Sequence, residues 1–126
     1  MAGSEWVFSS LKTGALFRFA CEAGAVLGRA GAAERAALRD YAASFGQAFQ
    51  LADDLLDAQG DAAALGKAVA KDAGRGKATL VALLGVEAAK AKLGALVAEA
   101  ESALVLFGDK GTNLARAARF IAERRT

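Results

Sequence analysis

A chain of 126 residues, 55% hydrophobic and 24% charged, is long enough for one domain with a modest core. Its net charge of +2 is too small for a nucleic-acid binder, and a single cysteine excludes an intrachain disulfide and fits a reducing cytoplasm. The N-terminus has no basic segment leading into an apolar core, so no signal peptide is expected, and no apolar run reaches the ~18 residues of a membrane span.

Alanine and leucine are abundant and proline is absent, which favours uninterrupted helices. In chain order, the pattern predicts a helix over residues 6–27, a glycine-containing turn over 28–32 and a second helix over 33–57. A loop follows over 58–76, with a short helix near 62–65. A long helix is expected over 77–107, bent near Gly85 or Gly94, then a turn over 108–111 and a last helix over 112–124. With no strand alternation and no internal repeat, packing helix on helix is the economical way to bury these apolar stripes. The expected fold class is all-α, a helical bundle.

The second predicted helix carries the chemistry. Side chains three or four residues apart share a helix face, so Gly46, Gln50, Asp53, Asp54 and Asp57 fall on one stripe. Phe45, Ala48, Phe49, Ala52, Leu55 and Leu56 fall on the other, a broad face suited to a core. The polar stripe has no lysine or arginine within reach along its own helix. Adjacent carboxylates repel unless a cation compensates them, and Mg²⁺ is the natural candidate for carboxylate, water and phosphate oxygens. A solvated acidic face reads the same way without any metal.

Two further elements accompany the acidic stripe. The segment 61–79 reads DAAALGKAVAKDAGRGKAT and interleaves Lys67, Lys71, Arg75 and Lys77 with Gly66, Gly74 and Gly76. Glycine permits tight backbone, which lets ammonium groups converge on one anion. On the first helix, Lys12 lies in line with Leu16, Phe19, Ala23 and Val26. A lysine on an apolar stripe either snorkels to water or meets an anion.

Taken in order, KTGALF (12–17), FGQAFQLADDLLD (45–57), LGK (65–67), GKAT (76–79) and LVALLG (80–85) resemble the C-terminal half of a trans-type prenyl diphosphate synthase, nearest to short-chain farnesyl diphosphate synthases. The resemblance runs from about Leu11 to the end and implies part of the isoprenoid synthase fold. It implies that Asp53, Asp54 and Asp57, the family's second aspartate-rich motif, hold Mg²⁺ against an allylic diphosphate. By the same resemblance Lys12 and Thr13 contact that diphosphate, Gln50 lines the allylic substrate site, and Lys67 and Lys77 face the diphosphate from the following loop. Lys12, Thr13 and Lys67 are the implied catalytic residues. At the family's Gly-Lys-Asp the chain has Ala70-Lys71-Asp72, which stiffens the loop without removing either of those lysines.

The implied reaction condenses an allylic diphosphate with isopentenyl diphosphate. Ionisation of the allylic carbon–oxygen bond is followed by attack of the second substrate's double bond, and proton loss gives a chain five carbons longer. The residues present serve electrostatics and positioning. Cys21 has no histidine partner because the chain contains no histidine, which sets aside a cysteine hydrolase.

The family also carries an upstream aspartate-rich motif and upstream arginines for isopentenyl diphosphate. Neither is found here, and the chain is about half the length the family leads one to expect. Residues 1–126 therefore read as the C-terminal part of a synthase domain, catalytically incomplete alone. Apolar faces meant for the missing helices should promote association, as a homo-oligomer or with the N-terminal half. Arg116, Arg119, Arg124 and Arg125 read as a solvated basic face at the C-terminus; in some family members such residues help close the active site. The alternative to an enzyme segment is a non-catalytic helical interaction module.

Overall fold

The structure is a computed structural model that describes residues 2–63 and 79–124, with side chains described for 12–60 and 79–124. All regular structure among the described residues is helical. Helix α1 spans Ala2–Leu27, α2 Ala32–Ala63, α3 Leu80–Leu84, α4 Val86–Ala103 and α5 Thr112–Glu123, with a 3₁₀ segment, Val105–Gly111, between the last two. The all-α bundle expected from composition is what the described residues form.

Each boundary has a local cause. α1 ends in paired capping bonds, Ala30 N–H to the Ala25 carbonyl (2.9 Å) and Arg29 N–H to the Val26 carbonyl (3.1 Å). This wrap requires one residue in the left-handed region, and it is Arg29 (φ 57°), not the neighbouring Gly28. α2 starts where the Glu34 carboxylate reaches back to the Gly31 N–H at 2.9 Å, the acidic half of a capping box. It runs six residues past the expected end at Asp57, continuing through Gly60 into an alanine-containing stretch that favours helix. Thr79 caps α3 by accepting the Ala82 N–H at 3.0 Å. The expected bend falls at Gly85, whose φ of 88° breaks the helix into α3 and α4. The long helix also ends earlier than expected, at Ala103. The Leu104 amide tightens onto Glu101, and the 3₁₀ turn buries Leu104 while leaving Val105 and Leu106 exposed.

α2 is the central element, with α1 along one flank and α4 and α5 along another. The core consists of Tyr41, Ala48, Leu51, Ala52 and Leu55 of α2 against Leu93, Leu96, Val97 and Ala100 of α4 and Ala118 and Ile121 of α5. Tyr41 Oη donates to the Leu114 carbonyl at 2.8 Å and ties α2 to α5. On the other flank Gly46 approaches Gly14, and Phe17 of α1 meets Phe45 and Phe49 edge-on at 4.8 and 5.3 Å between centroids. No helix among the described residues is long and apolar enough to cross a membrane.

One face of α1 has no cover. Leu16, Phe19 (71% exposed), Val26 and Leu27 (84% exposed) form a strip pointing away from α2. This is the stripe on which the sequence places Lys12, and Lys12 is exposed as well.

Candidate functional site

The site is built where α1 crosses α2. Gly14 and Gly46 bring the two backbones close, and their neighbours in sequence or one turn away, Thr13 and Gln50, are then opposed. Thr13 Oγ1 donates to Gln50 Oε1 at 3.4 Å, and Gln50 Nε2 donates to Asp54 Oδ1 at 3.3 Å. Both bonds are long, but they join a hydroxyl, a carboxamide and a carboxylate in one line across two helices. Thr13 and Gln50 lie 37 residues apart in the chain.

The three aspartates of the acidic motif have three environments. Asp54 is buried (8% exposed), with Gln50 at one oxygen. Asp53 is partly exposed and paired with the Arg124 guanidinium, which approaches from beyond the end of α5. Asp57 is exposed one turn further along. Among the described residues no group of three or more carboxylate, thiol or imidazole side chains converges tightly enough to hold a metal. The donor chemistry nevertheless suits Mg²⁺, which commonly takes one or two protein carboxylates and completes its shell with water and substrate phosphate. Asp53 and Asp57, on successive turns and both reachable from solvent, fit that division.

Arg124 departs from the solvated basic face expected of the C-terminal arginines. Arg116 and Arg119 are exposed, as a solvated basic face requires, and Arg119 pairs loosely with Glu101 at 3.5 Å. The Arg124 side chain is only 16% exposed. It lies over the Phe49 ring, with Cζ 4.9 Å from the centroid, while its Nη2 holds Asp53 Oδ1. The polar stripe of α2 has no cation within reach along its own helix; the cation that meets Asp53 comes from a residue 71 positions away. No spacing rule reaches that far. Lys67, Lys71, Arg75, Lys77 and Arg125 lie outside the described residues.

Arg124 also borders a cavity of about 280 Å³, lined by Ala52, Leu55 and Leu56 of α2 and Lys90 and Leu93 of α4. It is a part-apolar slot with two cationic side chains among its walls.

The family model described as polyprenyl synthetase matches residues 7–104. Over 113 residues the chain is 37% identical to a farnesyl diphosphate synthase of Geobacillus stearothermophilus, covering 90% of this chain and 38% of that protein. It is 46% identical over 94 residues to the farnesyl diphosphate synthase of Escherichia coli strain K12, covering 74% of this chain and 31% of that one. Identity to a short chain isoprenyl diphosphate synthase of Methanothermobacter thermautotrophicus is 44% over 81 residues, covering 64% of this chain and 25% of that one. The chain thus spans about a third of the length of these relatives, less than the half expected from sequence.

Proposed function

Because this chain belongs to the polyprenyl synthetase family, we propose that it supplies the metal and allylic-diphosphate side of a prenyltransferase site. The proposed reaction condenses an allylic diphosphate with isopentenyl diphosphate, a reading supported by the likeness to farnesyl diphosphate synthases. Family membership supports a metal-dependent chemistry, and the carboxylate donor set supports Mg²⁺. The observation that carries this reading is the line Thr13–Gln50–Asp54 beside Asp53, in which motifs far apart in sequence become neighbours.

In this reading Asp53, flanked by Asp57, provides carboxylate oxygen to the metal. The buried Asp54 holds Gln50, and Gln50 holds the Thr13 hydroxyl, so both are oriented before substrate arrives. Lys12, exposed next to Thr13, and Lys67 and Lys77 of the following segment supply ammonium groups to the diphosphate. Mg²⁺, when bound, contributes positive charge that offsets the charge gathering on the departing diphosphate. A cytoplasmic location and an assembly with a second copy or with an N-terminal half of the enzyme belong to the same proposal. The alternative of a non-catalytic interaction module is not favoured by the run of synthase relatives.

Calorimetry with Mg²⁺ and an unreactive allylic diphosphate analogue tests the site. Metal-dependent binding that is weakened by Asp53→Ala is expected, and binding indifferent to both metal and that substitution would overturn the assignment. The 126-residue chain alone is expected to give no condensation product from the two substrates; sustained turnover would show that it needs no further residues.

A further inference from the structure

We propose that Arg124 and the divalent cation compete for Asp53, so that this arginine sets the metal affinity of the site and is released when metal enters. The inference rests on the reading of Asp53 as a metal ligand. Asp53 Oδ1 is already engaged by Arg124 Nη2, and the carboxylate is 41% exposed, so its accessible surface is limited. A guanidinium and a metal ion both draw on the same negative charge, and neither can occupy the same oxygen lone pairs at full strength while the other remains.

The arginine is held more firmly than an ordinary surface partner. Exposed ion pairs contribute little because water and salt screen them and two long side chains must be ordered. Here the guanidinium is largely withdrawn from water and stacked on Phe49, which pre-orders it and strengthens the attraction. Any cation that takes Asp53 must therefore offset the loss of this pair.

The seat is also imperfect, which makes exchange feasible. Arg124 Nε is buried and finds no hydrogen-bond acceptor among the described residues, an arrangement that costs free energy while the side chain stays in place. The backbone at Arg124 has already left the helix (φ −65°, ψ 153°), so the side chain can swing out without unwinding α5. The adjoining cavity of about 280 Å³ gives it space on the α4 side. A permanent structural bridge needs neither the open space nor the helix exit.

The test is a titration of the full chain with Mn²⁺ alone, read by electron paramagnetic resonance, on the unsubstituted protein and on Arg124→Gln, Arg124→Lys and Asp53→Asn. Arg124→Gln is expected to bind Mn²⁺ about three- to tenfold more tightly, and Arg124→Lys, which keeps the charge but loses the planar stack, to fall between the two. In parallel, the Arg124 Nε–H signal in a ¹⁵N-labelled sample should shift on addition of Mg²⁺, a response that a fixed structural pair would not give. If Asp53→Asn leaves Mn²⁺ binding unchanged, or no variant binds Mn²⁺, the reading of Asp53 as a ligand fails and this inference with it. If Asp53→Asn abolishes binding while Arg124→Gln binds no more tightly than the unsubstituted chain, the competition alone is overturned. Circular dichroism on each variant separates these outcomes from loss of folding.

Discussion

Gly14 of α1 and Gly46 of α2 meet backbone to backbone, so closely that a Cβ built on Gly46 would stand 3.2 Å from the Gly14 Cα. The same Cβ would lie 3.6 Å from Phe17 Cδ2. This contact sets the spacing of the helices and hence the meeting of Thr13 with Gln50. Gly46→Ala should destabilise the chain by about 1 kcal/mol net, because forcing two long helices apart outweighs the ~1 kcal/mol that alanine gains in a helix. Gly24→Ala, at a position with nothing within 4 Å, should instead stabilise by about 0.5–1 kcal/mol. Chemical denaturation of the two variants checks the opposite signs. Gly46→Ala should also weaken binding of the diphosphate analogue, which Gly24→Ala leaves unchanged.

The Tyr41 hydroxyl gives a pH signature. Burial, and secondarily the charge of the neighbouring Cys21 thiolate, push its pKa well above the ordinary tyrosine range. A raised folded-state pKa means that the native state holds the proton more tightly than the unfolded chain. The associated stability is therefore present below the ordinary tyrosine pKa and lost progressively as pH rises from there towards the raised value. Tyr41→Phe should cost about 1 kcal/mol at neutral pH, by removing the bond to the Leu114 carbonyl. The gap between the two proteins should narrow in strong alkali. Burial raises the Cys21 thiol pKa as well, with the same sign, so part of the alkaline loss is common to both proteins. Urea midpoints measured from neutral to alkaline pH test this.

Arg29 occupies a conformation that favours glycine. Arg29→Gly should raise stability by about 0.5–1 kcal/mol, the relief of a side chain from the left-handed region at a helix C-terminus. An unchanged or lower thermal midpoint would show that the arginine side chain makes a compensating contribution.

The bare strip of α1 should drive association. Sedimentation of the 126-residue chain is expected to show an average mass that rises with concentration, and the double variant Phe19→Lys, Leu27→Lys should suppress the rise. A monomer at all concentrations would contradict the expectation drawn from the apolar content.

Much of this arrangement was legible before the fold. The acidic stripe of α2, the break at Gly85 and the helical class follow from residue type and helical spacing, which act within a few residues. Helix ends are less legible, as after Asp57, where α2 continues through Gly60 although glycine commonly ends a helix. The apolar face projected on α2 omitted Leu51, which is fully buried. A single-stripe projection suits a helix covered on one side, whereas α2 is covered along two flanks. Four arginines near one terminus look alike in sequence; only the exit of the chain from α5 distinguishes Arg124.

By itself, the sequence determined that the chain is helical, which family it belongs to, and that acidic residues recur at helical spacing on α2. Those properties arise from spacing along one helix and from motif order. The tertiary structure decided that Asp54 is buried with Gln50, which in turn meets Thr13, while Asp53 meets Arg124. Such pairings depend on how closely α1 approaches α2 and where α5 ends beside it, and those distances are set by packing between segments far apart in the chain.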